Sequence, residues 1–194
     1  MSRRLAVVMA FLWSTLACAV NAAPVVYTLD TAHSRVSFYI NHLGFSTSIG
    51  LFKVAEGRFV FDNEAWSQST VDVSIPVSSL ELGDATWNAH MLSAQWLDAA
   101  QFPQMRFVGK KVESDGHGGG KLYGELTLKG VTQPVVLDVK LNKLGEHPMK
   151  KAPAVGFTGT TIIHRSDFGM QSSLGAVGDD VQIRVEIEAF VPKA

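Results

Sequence analysis

The sequence predicts an all-β fold: about eight antiparallel strands, closed into a barrel or stacked as a sandwich, with one short helix around residues 86–98. Three observations carry this reading. Apolar residues recur with a period of two along most of the chain, turn-forming residues separate the runs, and only one stretch switches to a helical period.

The strands follow in order. Val36, Phe38, Ile40 and His42 share one parity, against Arg35, Ser37, Tyr39 and Asn41. A shorter strand is expected over Gly57 to Phe61. Val71, Val73, Ile75 and Val77 alternate with Asp72, Ser74 and Pro76. The helix comes next. Asp84 or Thr86 can cap it, because either side chain accepts from orphan N–H groups. Trp87, Met91 and Ala94 form its apolar stripe, flanked by Leu92 and Trp96, and Phe102-Pro103 stops the pattern. A strand over Met105 to Val112 precedes the hairpin loop Asp115 to Gly120. Leu122, Gly124, Leu126 and Leu128 then face one way, as do Val135, Leu137, Val139 and Leu141 after the Lys129 to Pro134 turn. A strand over Val155 to His164 and a last one over Val181, Ile183, Val185, Ile187 and Ala189 complete the set.

Such strands have one apolar face and one wet face, as in antiparallel sheets. Closure removes the exposed edges that invite aggregation. A barrel of about eight strands has an interior just wide enough for side chains or one small ligand. Gly109, Gly124 and Gly159 fall on inward parity, where they either leave space or permit sharp curvature.

The chemistry-bearing residues are sparse. Histidines stand at 33, 42, 90, 117, 147 and 164 without zinc-finger or HExxH spacing, so no metal is predicted. His42 shares parity with Phe38 and Ile40 and should point inward. There is no GxSxG elbow. Asp167 beside Arg165 reads as a charged pair at a barrel rim. No basic patch stands out, which argues against nucleic acid as a partner.

Residues 1–22 read as a secretory signal peptide: Arg3 and Arg4, an apolar run from Leu5 to Ala19, and a cleavage point near Ala22 or Ala23. The run is shorter than the roughly 20 residues that span a bilayer. The full chain has 17 basic and 18 acidic residues; losing Arg3 and Arg4 leaves 15 against 18, a formal charge of −3. Cys18, the only cysteine, lies inside the segment, so no disulfide is expected, and a lipidated N-terminus at Cys18 is the alternative to cleavage near Ala22. Export without disulfides fits a bacterial periplasm.

Tyr27-Thr28-Leu29-Asp30-Thr31-Ala32-His33-Ser34-Arg35-Val36-Ser37-Phe38, His42-Leu43-Gly44-Phe45 and Gly50-Leu51-Phe52 carry a resemblance to the YceI-like family of bacterial exported proteins. It continues through His90-Met91, Phe102-Pro103, Phe107 and the run Gly124 to Thr132. Arg165-Ser166-Asp167-Phe168-Gly169 and Val177-Gly178-Asp179-Asp180-Val181 complete it. The resemblance implies an extended lipocalin-like antiparallel barrel over residues 24–192 that holds a long apolar chain: a polyisoprenoid, an isoprenoid quinone or a fatty-acid-like lipid. The implied apolar wall is Phe38, Ile40, Phe45, Phe52, Phe59, Phe61, Phe107, Leu126, Phe157 and Phe168. His42, Asn88, His90 and Arg165 are the expected polar contacts near an opening. Two departures bear on the head group. Trp87-Asn88-Ala89-His90-Met91 stands where the family often has Arg-Asp-x-His-Leu, and His164 replaces its usual Asn.

The expected function is therefore non-covalent binding or transport of that amphiphile in the periplasm, without a cofactor and without catalysis, by a monomer or homodimer. Two alternatives stay open. One is an interaction or stress-response module, which could contact a membrane redox protein. The other is an enzyme acting on a lipid or quinone, with the histidines as its acid or base.

Overall fold

The structure, a computed structural model, describes residues 24–54 and 56–192. The expected signal peptide, its cleavage points at Ala22 and Ala23, and Cys18 lie outside the described residues. The strands are β1 (Val25–Leu29), β2 (Arg35–His42), β3 (Ser46–Lys53), β4 (Glu56–Phe61), β5 (Thr70–Pro76), β6 (Gln104–Ser114), β7 (Gly119–Leu128), β8 (Val131–His147), β9 (Ala152–His164) and β10 (Val177–Phe190). One α-helix, α1 (Ala85–Leu92), lies between β5 and β6.

All pairings are antiparallel, in the order β1-β4-β5-β6-β7-β8-β9-β10-β2-β3, and β1 also pairs β10. The ten segments make a closed barrel of eight strand positions. β1 and β2 are two halves of one arm lying along β10. β3 and β4 likewise continue one another, β3 pairing β2 and β4 pairing β1. At the β3 end the arm is bridged at Leu51, whose N–H and C=O exchange bonds with Glu81, and Lys53 N–H donates to the Ser79 hydroxyl. The segment carrying α1 follows and covers that side.

The alternating runs form strands where the period of two demands them, and the inward residues of β7, β8 and β10 are those of inward parity. β3 does not follow the rule. Its buried residues are Ser48, Gly50 and Phe52, while Ile49 and Leu51 face outward. Gly50 is needed because the Phe38 ring lies over its α-carbon: a β-carbon there would collide with that ring and with Leu82. Gly124 is covered in the same way by Phe107. Gly109 adjoins a register shift and is capped by Val71 and Leu122. Of the three predicted inward glycines only Gly159 is part of the cavity lining, and a β-carbon there would sit 3.1 Å from Leu137.

The helix is shorter than the expected 86–98. Asp84 is its cap, accepting from Trp87 N–H at 2.8 Å. It stops at Leu92 because Ser93 leaves helical geometry and its hydroxyl takes the His90 carbonyl at 2.7 Å. Residues 93–101 then fold back through tight turns, with Asp98 in the left-handed region.

The arm bends between β1 and β2 at residues 30–34. Ser34 is wholly buried; its hydroxyl donates to Glu188 C=O and accepts from Glu188 N–H. Asp30 is 6% exposed and meets His33 Nδ1 at 3.1 Å through one oxygen. Its other oxygen has no hydrogen bond of good geometry, but lies 3.1 Å from the Lys150 ammonium. Burial alone would raise its pKa. The contacts with His33 and Lys150, the Lys150 charge and the Ala32 N–H outweigh burial and hold it at about 2.

Two predictions follow from this corner and the glycine. The carboxylate of Asp30 stabilises the fold above the unfolded pKa of about 3.9, and that contribution is lost as pH falls toward 2. Asp30→Asn should therefore lose on the order of 1–2 kcal/mol at pH 7, a gap that closes between pH 4 and 2 in urea unfolding. Gly50→Ala should lose about 1–3 kcal/mol by overpacking, and Phe38→Leu in the same chain should recover part of it.

Candidate functional site

The apolar faces of the barrel do not fill it. They enclose a cavity of about 360 Å³, within the roughly 300–1,000 Å³ of small-molecule sites. Phe38, Ile40, Phe52, Phe59, Phe61, Phe107, Leu126 and Phe157 line it. Phe38, Ile40, Phe59, Leu126 and Phe157 point inward yet are only half-buried, since their free area faces the empty space.

One end is closed by aromatic packing. Phe157 meets Phe61 at 5.1 Å, Phe59 at 5.6 Å and Trp66 at 5.9 Å, each ring edge-on. Each such pair is worth about 0.5–1.5 kcal/mol beyond its buried area.

The other end carries polar groups. His42 ends β2, lines the cavity, and faces the Trp87 ring of α1 at 6.2 Å. His90, in the last turn of α1, accepts at Nε2 from the Trp96 indole N–H at 2.9 Å. In the neutral ring this leaves the proton on Nδ1. The Trp96 ring faces the Arg165 guanidinium at 5.3 Å. Ser48 and Thr161 add hydroxyls to the lining near this end.

Arg165 is 2% exposed. It donates from Nε to Gly178 C=O at 2.8 Å, from one terminal nitrogen to Met170 C=O at 2.5 Å and from the other to Val177 C=O at 3.0 Å. Burial pushes its pKa down, against the pull of Asp179. The expected rim pair with Asp167 is not formed: the guanidinium turns inward to these carbonyls. Asp179 gives its carboxylate to the N–H and hydroxyl of Ser166. Those bonds hold its pKa below the usual carboxylate range, against the effect of its own burial.

Three expected site residues lie elsewhere. Phe45 is 91% exposed in the turn between β2 and β3, where parity no longer fixes direction, so it is no wall. Phe168 is 1% exposed but packs in the core outside the cavity lining, on the short 3₁₀ turn Arg165–Phe168. Asn88 does not line the cavity: its side-chain oxygen accepts Leu82 N–H at 2.8 Å and tethers the helix. Sequence reasoning missed Trp66, Trp96 and Ser48 as lining residues. Trp96 sits in irregular turns and Ser48 on a strand whose inward face is the polar-looking one, so no periodic signal marks either. Among the described residues, no group of three or more His, Cys, Asp or Glu could hold a metal ion.

The chain matches the family model of the YceI-like domain over residues 27–189. A UPF0312 protein of Shewanella denitrificans is 34% identical over 175 residues, covering 90% of this chain and 91% of the relative. Protein YceI of Salmonella arizonae is 34% identical over 175 residues, covering 89% and 91%. Among solved structures, BcnA of Burkholderia cenocepacia superposes with a TM-score of 0.74 at 28% identity, covering 82% of this chain and 98% of that one. A polyisoprenoid binding domain from Saccharophagus degradans, implicated in plant cell wall breakdown, shares the fold with a TM-score of 0.63 at 13% identity, covering 86% and 98%.

Arg165→Met would strip the donor from three carbonyls at once. Leaving a buried acceptor unsatisfied costs about 1–3 kcal/mol. Since only the Met170 bond is fully buried, the variant should lose about 1–3 kcal/mol in chemical denaturation.

Proposed function

We propose, starting from the premise that this chain belongs to the YceI-like family, that its barrel holds a long-chain apolar amphiphile without covalent chemistry. A polyisoprenoid, an isoprenoid quinone and a fatty-acid-like lipid are the candidate ligands, and the periplasm is the proposed compartment. The compartment rests on the signal-like pattern of residues 1–22 alone.

The observation that carries the reading is the cavity: about 360 Å³, walled by aliphatic and aromatic side chains, with its polar groups gathered mainly at one end. A tail inside it is driven by burial, about 0.8 kcal/mol per methylene. Roughly ten methylenes give about 8 kcal/mol, from which lost translational freedom takes several. No positioned acid or base is needed for this, whereas turnover of a lipid would need one. The fold shared with a polyisoprenoid binding domain supports the same class of ligand.

Protein purified under native conditions, extracted with denaturant and analysed by mass spectrometry should yield a stoichiometric lipid. Repeated absence of any lipid, together with no uptake of acyl or polyprenyl probes, would sink the reading. Gly159 lines the cavity with Leu137, Val139 and Val185 around it. Gly159→Leu should fill that space and weaken uptake of an acyl probe at least tenfold while the protein stays folded by circular dichroism. Separate His42 and His90 substitutions divide carrier from enzyme: loss of affinity alone fits a carrier, and loss of turnover with ligand retained fits an enzyme.

A further inference from the structure

The ionisable side chains that reach the cavity are all basic ones. His42, His90 and Arg165 line it, and among the described residues no aspartate, glutamate or lysine does. Composition does not impose this, since acidic residues outnumber basic ones, 18 to 17, over the chain.

Arg165 is the decisive group. Burying a cation costs several kcal/mol and is normally offset by a carboxylate partner. Here the three bonds go to neutral carbonyls, and the nearby Asp179 is engaged by Ser166. Two of the five guanidinium N–H groups have no acceptor among the described residues. Trp96 joins this cation to His90, stacking on the one and donating to the other. His42 completes the same end, held against Trp87. The cluster sets one buried guanidinium and two more exposed imidazoles at one end of an apolar chamber.

We propose that this end is an anion subsite. The amphiphile carries a terminal carboxylate or phosphate that seats against Arg165, flanked by the His42 and His90 rings, and its tail runs toward Phe157. This rests on the lipid-binding function proposed above and adds the class of head group. A neutral head would leave the guanidinium with only the indirect pull of Asp179, whose carboxylate is bonded to Ser166. An anion gives it a direct counter-ion at low dielectric, where charge-assisted hydrogen bonds are strongest.

The test is a matched series on the full protein: hexadecanoate, hexadecyl phosphate, hexadecanamide and hexadecan-1-ol, competed against a fluorescent apolar probe below their aggregation limits. At least one anionic member should bind tenfold or more tighter than both neutral ones, and which of the two does so separates carboxylate from phosphate. Arg165→Gln should bring all four within about threefold while the alcohol keeps its wild-type affinity. The wild-type series decides the head-group class even where that variant does not fold. Equal affinities, or a neutral head preferred, overturn the anion subsite and leave lipid binding standing. No binding by any of the four overturns both. A wild-type preference that persists in folded Arg165→Gln removes Arg165 from the subsite.

Discussion

β10 is paired along both edges, and one edge is shared by two halves of a single arm. β9 runs along one side of it for eleven residue pairs, from Asp180 to Phe190. On the other side β2 takes the first part and β1 only the last two pairs, Thr28 with Phe190 and Leu29 with Ala189. The barrel closes through that two-pair seam. The bend between the two halves is therefore fixed with unusual care: Ser34 and Asp30 N–H bind Glu188, and Asp30 reaches His33 and Lys150. Lys150 in turn covers the Phe190 ring at 4.3 Å. Without the bend, one arm could not serve both the closed barrel and its extension past the seam.

Closure allows the interior to stay under-filled. A core normally packs at crystal density, and each void lowers stability. This barrel concentrates its packing at one end, in the Phe59, Phe61, Trp66 and Phe157 cluster, and at the buried turn carrying Phe168. The middle is left open, and the far end is organised by hydrogen bonds and ring contacts through Trp96 and Arg165. Stability and room for a ligand are thus placed at different heights of the same tube.

Much of the fold is written in period two, because a strand with one face to water must alternate. β2 is legible to the residue, and so are the inward faces of β7, β8 and β10. β3 was hidden because glycine and serine occupy its inner face while Ile49 and Leu51 face out. An aromatic ring from the neighbouring strand supplies the missing bulk, a relation that no single-strand pattern encodes. The same cause separates the glycines: Gly124 is covered by Phe107, while Gly159 lies in the cavity lining beside Leu137. At the site, parity carries to His42 but fails one turn later at Phe45. Arg165 shows the other limit. Its neighbour Asp167 suggested a surface pair, whereas the three carbonyls it binds come from residues 170, 177 and 178, across a loop that only the fold brings back.

The closing seam joins residues near opposite ends of the described chain, Thr28 and Phe190. Contacts of such separation are entropically the slowest to form. No partial chain lacking β10 has both edges satisfied, so the barrel cannot complete until its last strand exists. Folding is then gated by β10: a chain cut before Ala189 loses the seam, and a nascent one cannot enclose anything until β10 has been made.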